Sequence, residues 1–249
     1  MLVALYYVPR PLRLVVPDLP HHVTARGNYR QQIFLSDSDR RMYLRLLWDK
    51  CDLFGVEIHA YSLMPNHVHL VATPRTESAF SELFHSIHST YARRVHEPLD
   101  RRGHLFQSRY FASVMDRAHY WNAMVYMEQN PWRAKLVENA WDWEWSSART
   151  HLGMEQNRWL AMDDWAQAHS PETWEALLRH GLWSGELLLR IREATRTGRP
   201  LGDDAFVDSL EARFQIKLRP APMGRPRMKP SVQDVVPGTT SLAASRGKR

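Results

Sequence analysis

The stretch from Met64 to Val71, with the sequence MPNHVHLV, constrains the possible folds of this chain most strongly. A Pro-Asn pair that is typical of a turn is followed by two histidines, by the valine between them and by further apolar residues. Because successive side chains of a β-strand point to opposite faces, His67 and His69 would share one face and the valine would face the core. The two imidazoles would lie about 7 Å apart and could converge on a metal ion. A half-buried strand face without a ligand would show the same pattern.

Strands and helices alternate around this stretch. The spacing of apolar residues predicts the order β-α-β-β-α-β, with a further helix behind it. The predicted strands cover residues 22–26, 56–63, a segment that begins at His67, and 109–115; the predicted helices cover residues 37–55, 77–96 and 116–130. This order is that of a ferredoxin-like α+β sandwich, in which helices pack on an antiparallel sheet.

Two details of the chain path are predicted as well. Gly27 and Asn28 would form a left-handed turn after the first strand, because glycine adopts a positive φ without strain. A hairpin turn centred on Pro65 would place Tyr61 and His59 on the same face as the two histidines of the next strand.

Charge is distributed unevenly along the 249 residues. Residues 219–249 carry seven Arg or Lys against one acid, and the other 218 residues balance at 26 basic and 26 acidic. We therefore expect a domain at residues 1–150, a helical extension at 151–218 and a basic tail at 219–249 that is disordered without a partner. The asymmetry points to a polyanionic partner, although a solvated surface and a disordered end would explain the charge equally well.

Several protein classes are disfavoured by composition. No run approaches the roughly 18 apolar residues that a membrane span needs, so no membrane association is expected. The apolar residues at the start of the chain are few and lack a cleavage site behind them, so no signal peptide is predicted. The single cysteine, Cys51, excludes an internal disulfide framework and fits a reducing compartment such as the cytoplasm.

The third predicted helix carries a tyrosine with an unusual neighbour. Tyr126 and Asn130 are four residues apart, so their side chains would meet on one helix face, together with Arg133. Of the nine tyrosines, Tyr126 alone has an oxygen-bearing side chain four residues later. Pro131 disfavours helical geometry at Asn130, so a surface tyrosine followed by an Asn-Pro helix stop is the alternative. The apolar stripe of this helix would consist of Trp121, Met124 and Val125.

With these residues in view, the sequence resembles the single-tyrosine HUH transposases, and most closely the REP-associated tyrosine transposases of bacteria. The resemblance spans about residues 20–150, and a later stretch at 197–203 resembles the C-terminal region of that group. One departure is Phe106, where the family often has tryptophan. The stretches that carry the resemblance are HVTARGN at 22–28, AYSLMPNHVHLV at 60–71, GHLFQSRY at 103–110, YMEQNPWRA at 126–134 and WSSA at 145–148.

The resemblance implies both a fold and a chemistry. The fold would be the ferredoxin-like, RRM-like HUH fold. His67, His69 and Asn130 would be ligands of Mg²⁺ or Mn²⁺, and Tyr126 would be the nucleophile. The substrate would be single-stranded or hairpin DNA resembling REP elements, which is cleaved to a 5′-phosphotyrosine and then rejoined.

The implied residues suit this chemistry on physical grounds. A phenol with a pKa of about 10 is a weak nucleophile, and a bound cation can spread the charge that develops on the phosphate. Two imidazoles would equally suit Zn²⁺. The phosphotyrosine bond conserves the energy of the broken diester, so rejoining needs no ATP and we expect no nucleotide cofactor.

DNA contacts are expected from arginines that could track a phosphate backbone. A regulator that binds DNA without cutting it remains a second possibility, and a His-X-His metallohydrolase is a third that lacks the further ligands it would need. Both a monomer and a dimer are compatible with the sequence. The candidate DNA-binding arginines are Arg26, Arg93, Arg94, Arg101, Arg102, Arg109 and Arg133.

Overall fold

The computed structural model describes residues 13–97, 100, 102–107, 109–181 and 185–219. Four strands form one antiparallel sheet in the order β2-β3-β1-β4. The predicted ferredoxin-like α+β order is confirmed. The strands are β1 (His21–Arg26), β2 (Val56–Met64), β3 (His67–Pro74) and β4 (Phe111–Val114).

Nine α-helical segments lie in the described ranges, with short 3-10 turns at Asn28–Arg30 and Ala140–Asp142. None of these helices combines the length and the apolar character that crossing a bilayer would require. The last four helices fall in the predicted extension, and Arg219 is the one described residue of the predicted tail. The helices are α1 (Asp37–Cys51), α2 (Ala79–His96), α3 (Arg117–Glu128), α4 (Asn130–Arg133), α5 (Ala148–His151), α6 (Asp163–Ala168), α7 (Pro171–His180), α8 (Gly185–Thr197) and α9 (Asp204–Phe214).

Helices cover both faces of the sheet. On one face, α1 and α2 pack on Val23 and Leu70, which alternate with the polar residues of their strands. On the other face, α3 packs on Ala60 and Val71, and Trp174 of α7 joins the same apolar cluster. Helix α3 is therefore enclosed between the sheet and the C-terminal helices.

A two-residue turn, Pro65–Asn66, joins β2 to β3 and sets their register. Met64 pairs with His67, and Ser62 pairs with His69. The prediction for Tyr61 was wrong: the turn is centred between two residues and not on Pro65, so Tyr61 pairs with Leu70 and faces the α1/α2 core. His59 lies at an irregularity of β2, and its Nε2 is 2.8 Å from Oγ1 of Thr73.

The predicted left-handed turn at Gly27 and Asn28 was also wrong. Gly27 has a φ of −62°, and the positive φ angles belong to Tyr29 and Arg30, at 48° and 60°. Glycine is needed at position 27 for a different reason, since a Cβ there would lie 2.2 Å from the carbonyl oxygen of Gln31.

A buried carboxylate fixes the end of α3. Glu128 is fully buried, and its side chain accepts hydrogen bonds from Ser147, from Nδ1 of His151 at 2.6 Å and from Nε1 of Trp174 at 2.9 Å. Ser147 also accepts from the backbone N–H of Tyr61 in β2 at 3.0 Å. One carboxylate therefore joins α3 to the sheet, to α5 and to α7.

We expect Glu128→Leu to destabilise the protein by about 3–5 kcal/mol, because three buried donors lose their acceptor. The matched control is Glu155→Leu, which removes a partly exposed carboxylate 3.3 Å from Arg149 and should cost less than about 1 kcal/mol. Urea unfolding followed by tryptophan fluorescence measures both. Equal losses in the two variants would contradict the role given to Glu128.

Candidate active site

Three histidines meet on the sheet face that α3 covers. His67 and His69 lie on β3, with 4.7 Å between their ring centroids. His22 of the neighbouring β1 stacks on His69 with a centroid distance of 5.1 Å, and its Nε2 lies 2.9 Å from Nδ1 of His69. The predicted histidine pair therefore shares a face, and it is joined by a third histidine that the sequence analysis did not assign.

His22 had a sequence signal that could have identified it. It alternates with Val23 and so points away from the α1/α2 core. Once β1 is paired with β3 in the ferredoxin-like order, Thr24 pairs with His69, and His22 falls diagonally beside that residue.

The Tyr126 ring lies against this histidine group. Its centroid is 6.2 Å from that of His22 and 6.4 Å from that of His69, in edge-on arrangements. Tyr126 is 8% exposed, so the alternative of a surface tyrosine is wrong. Its burial follows from the enclosed position of α3.

Arg133 forms several hydrogen bonds at the junction between α3 and α4. Its guanidinium donates to the backbone carbonyl of Tyr126, to Oδ1 of Asn130 at 2.6 Å and to Oε1 of Gln129 at 3.0 Å. It also lies 4.2 Å from the centroid of the Tyr126 ring. The predicted loss of helical geometry at Asn130 was wrong: the break falls at Gln129, and Asn130 begins α4 with Pro131 in its first turn. Arg133 connects the two helical segments across this break.

Burial keeps the histidines neutral. It lowers the pKa of His22 to about 4 and, together with the charge of Arg26 and the His22 ring, lowers the pKa of His67 to about 4. The pKa of His69 is well below its ordinary value, because of burial first and of neighbouring rings and arginines second. Neutral imidazole is the form that binds metals.

The hydrogen bonds of His67 leave one particular nitrogen for a ligand. Its Nδ1 lies 2.6 Å from Oδ1 of Asn66, whose Nδ2 donates to the carbonyl of Arg30 at 3.1 Å. Because that amide oxygen can only accept, the His67 proton sits on Nδ1 and Nε2 carries the lone pair. The Nδ1 of His69 is likewise engaged, by His22, so Nε2 is the nitrogen that this contact leaves for a ligand.

The predicted ligand set offers donor atoms of the types that divalent cations bind. Within the described ranges, no three His, Cys, Asp or Glu side chains are grouped to bind a metal. Asn130 can supply a third ligand, because Oδ1 has a second lone pair beyond that used by Arg133. Two imidazoles and one amide oxygen would leave positions open for phosphate oxygens and water.

The predicted DNA-binding arginines fall into different environments. Arg26 is exposed at the end of β1, where it pairs with His67 in the register. Arg133 is mostly buried, and this burial lowers its pKa to about 10, so its guanidinium serves the protein interior. Arg101 lies outside the described residues. The remaining four, all exposed, are Arg93, Arg94, Arg102 and Arg109.

A ferredoxin-like sheet that presents a histidine pair to a tyrosine on a packed helix has the layout of a single-tyrosine transposase. Comparison with known families agrees with this class: residues 15–130 match the family described as "Transposase IS200 like". This part of the chain is similar to the IS200-like transposases, and the resemblance found in the sequence is confirmed.

Two solved structures align with parts of this chain. The REP-associated tyrosine transposase bound to a REP hairpin aligns with a TM-score of 0.50 and 17% identity, over 59% of this chain and 86% of that one. A predicted transposase of Deinococcus radiodurans R1 aligns with a TM-score of 0.35 and 20% identity, over 49% of this chain and 97% of that one. No curated protein matches the chain.

The neutral histidines predict a loss of stability in acid. An unfolded histidine has a pKa of about 6.5, whereas His22 and His67 titrate near 4 in the folded protein. Below pH 6.5 the unfolded chain therefore binds more protons, and stability falls until about pH 4, by up to about 1.4 kcal/mol per pH unit for each group.

Urea unfolding in EDTA at several pH values between 7.5 and 4.5 measures this slope. His67→Asn should reduce it, because one of the groups is gone. His85→Asn, which changes an exposed histidine of α2, is the control and should change it little. An identical slope for wild type and His67→Asn would show that His67 is not held neutral by the fold.

Proposed function

We propose that this protein is a metal-dependent DNA transposase that cleaves and rejoins single-stranded hairpin DNA through Tyr126. The contact of the buried Tyr126 ring with the His22 and His69 rings carries this proposal. The proposed nucleophile thus lies beside one proposed ligand, His69, and beside His22, within a region that resembles a family of transposases.

The reaction is an exchange of phosphodiester bonds. The hydroxyl oxygen of Tyr126 attacks the scissile phosphorus and loses its proton to solvent. The bond from phosphorus to the 3′ oxygen breaks, and that oxygen takes up a proton. The products are a free 3′-hydroxyl and a 5′-phosphotyrosine, and attack by a 3′-hydroxyl on the phosphotyrosine rejoins a strand.

His67, His69 and Asn130 would hold Mg²⁺ or Mn²⁺ in this proposal. The bound cation supplies positive charge that polarises the phosphate and offsets the charge developing on it. Arg133 would hold Tyr126 and Asn130 in place relative to each other, because it stacks on the Tyr126 ring while binding the Asn130 side chain. One arginine thus couples the nucleophile to the third ligand.

DNA would approach from the exposed end of β1. Arg26 is exposed there and is the register partner of His67, so its charge can bind a phosphate next to the site. The similar REP-associated tyrosine transposase is bound to a REP hairpin. We propose a hairpin with a single-stranded flank as the substrate of this chain as well, bound as a monomer or a dimer.

We expect Tyr126→Phe to bind hairpin DNA normally and to form no covalent adduct, because only the attacking oxygen is lost. Labelled hairpin DNA is incubated with Mg²⁺ or Mn²⁺ and analysed on a denaturing gel. Tyr120→Phe, which removes a buried hydroxyl from the same helix, is the matched control and should still form the adduct.

Tyr91→Phe and Tyr110→Phe should also retain the adduct. Peptide mapping that finds the nucleotide on any of these three tyrosines would contradict the mechanism. Tight hairpin binding by the wild type with no adduct under any metal would instead favour a regulator that binds DNA without cutting it.

We expect His67→Ala and His69→Ala to reduce cleavage at least about 100-fold, because each removes a ligand of the cation. Both variants should fold, since the neighbouring Val68 and Leu70 remain in the core. His59→Ala removes a histidine that contacts Thr73 instead, and it should cleave like the wild type. Full cleavage by the wild type in EDTA would exclude the metal assignment.

A further inference from the structure

We propose that Thr195 of α8 acts through His22 as a positioning residue for His69, holding that imidazole in the tautomer whose Nε2 can bind a cation. The inference rests on the metal site proposed above and adds two residues behind it. The inference rests on two contacts of the His22 ring and on one hydrogen bond within α8. In each of them, the chemistry of the two atoms decides which one donates the proton.

The Thr195 hydroxyl has a single proton, and this decides which atom donates in each of its contacts. Its Oγ1 lies 2.7 Å from the carbonyl oxygen of Ile191, one turn earlier in α8. A carbonyl oxygen only accepts, so the proton lies in this contact and Oγ1 can only accept from other groups. Oγ1 also lies 3.1 Å from Nδ1 of His22. That nitrogen must therefore carry a proton and donate it to Thr195.

The tautomer of His22 then decides which nitrogen donates in the contact between His22 and His69. His22 is 1% exposed, and a charged imidazole is costly to bury, so the ring carries one proton, on Nδ1, and its Nε2 carries a lone pair. That Nε2 lies 2.9 Å from Nδ1 of His69. His69 must therefore donate from Nδ1, which leaves the lone pair on its Nε2. Outer hydrogen bonds of this kind orient metal-binding histidines.

We call the hydrogen bonds from Thr195 through His22 to His69 the relay. A hydrogen bond from the sheet fixes the position of α8 beside it. Ser113 of β4 is the register partner of His22, and its hydroxyl donates to the carbonyl of Ala194 at 2.7 Å. Thr195 is the next residue of α8, so the sheet holds the hydroxyl opposite His22. The C-terminal helices therefore complete the site, 173 residues away from His22 in sequence.

The test is Thr195→Val, which replaces the hydroxyl with a methyl group of similar size. The Nδ1–H of His22 then has no acceptor, and the ring should move its proton to Nε2, because a buried N–H without a partner is costly. His22 would donate to Nδ1 of His69, and His69 would carry its own proton on Nε2, where the cation should bind.

Long-range ¹H–¹⁵N spectra of the metal-free, full-length protein with ¹⁵N-labelled histidine report each tautomer directly. We expect His69 protonated on Nδ1 in the wild type and on Nε2 in Thr195→Val. Mn²⁺ binding, followed by the EPR signal of the free ion, should weaken about 10- to 100-fold in the variant.

Two control variants separate the relay from general effects on α8. Thr195→Ser keeps the hydroxyl and should keep the wild-type tautomer. Thr197→Val removes the same type of bond two residues later, where Oγ1 donates to the carbonyl of Glu193 at 2.8 Å. It should also leave the His69 spectrum unchanged, so a shared change in both valine variants would contradict the relay.

A wild-type His69 protonated on Nε2 would overturn the inference, even if Thr195→Val failed to fold. So would a folded Thr195→Val that keeps Nδ1 protonation and wild-type Mn²⁺ affinity. The spectra need neither DNA nor metal. A wild type that neither binds Mn²⁺ nor cleaves DNA would therefore refute the proposed function, and the tautomers would still decide the relay.

Discussion

The register of one hairpin underlies everything at the candidate site. The two-residue Pro65–Asn66 turn pairs Met64 with His67, and this pairing puts both histidines of β3 on the face that α3 covers. A shift of one residue would send them into the α1/α2 core and bring Val68 and Leu70 to the site, because side chains alternate along a strand. The turn also carries Asn66, which fixes the proton of His67. Fold and ligand chemistry therefore depend on the same two residues.

Burial of α3 determines where Tyr126 lies in the candidate site. Helix α3 is enclosed between the sheet and the C-terminal helices, and the Glu128 carboxylate joins it to both. Two residues earlier, Tyr126 is held against the histidine rings, and Arg133 stacks on its other side. The same burial keeps the histidines neutral. The buried environment of the site thus holds the Tyr126 ring against neutral imidazoles.

The C-terminal helices are part of this environment and not an addition to it. Trp174 and Ile191 belong to the apolar cluster that contains Tyr126, and Thr195 reaches His22. The family match ends at residue 130, whereas the contacts around the site extend to α8. In the proposed metal site, helices beyond the matched region would therefore adjust the ligands through hydrogen bonds, without contributing a ligand themselves.

The sequence by itself determined the order of elements and the shared face of His67 and His69, and it predicted that Tyr126 and Asn130 lie near each other, where Arg133 contacts both. These features follow from periods of two and of about four residues, which are local. Only the tertiary structure decided that His22 lies beside His69, that Arg133 turns inward and that Thr195 completes the site. The structure also corrected the conformation of Gly27 and the face of Tyr61. The first depends on how closely the backbone of Gln31 approaches, and the second depends on where the hairpin turn is centred. Contacts between residues far apart in the chain depend on how sheets and helices pack, and no local period records them.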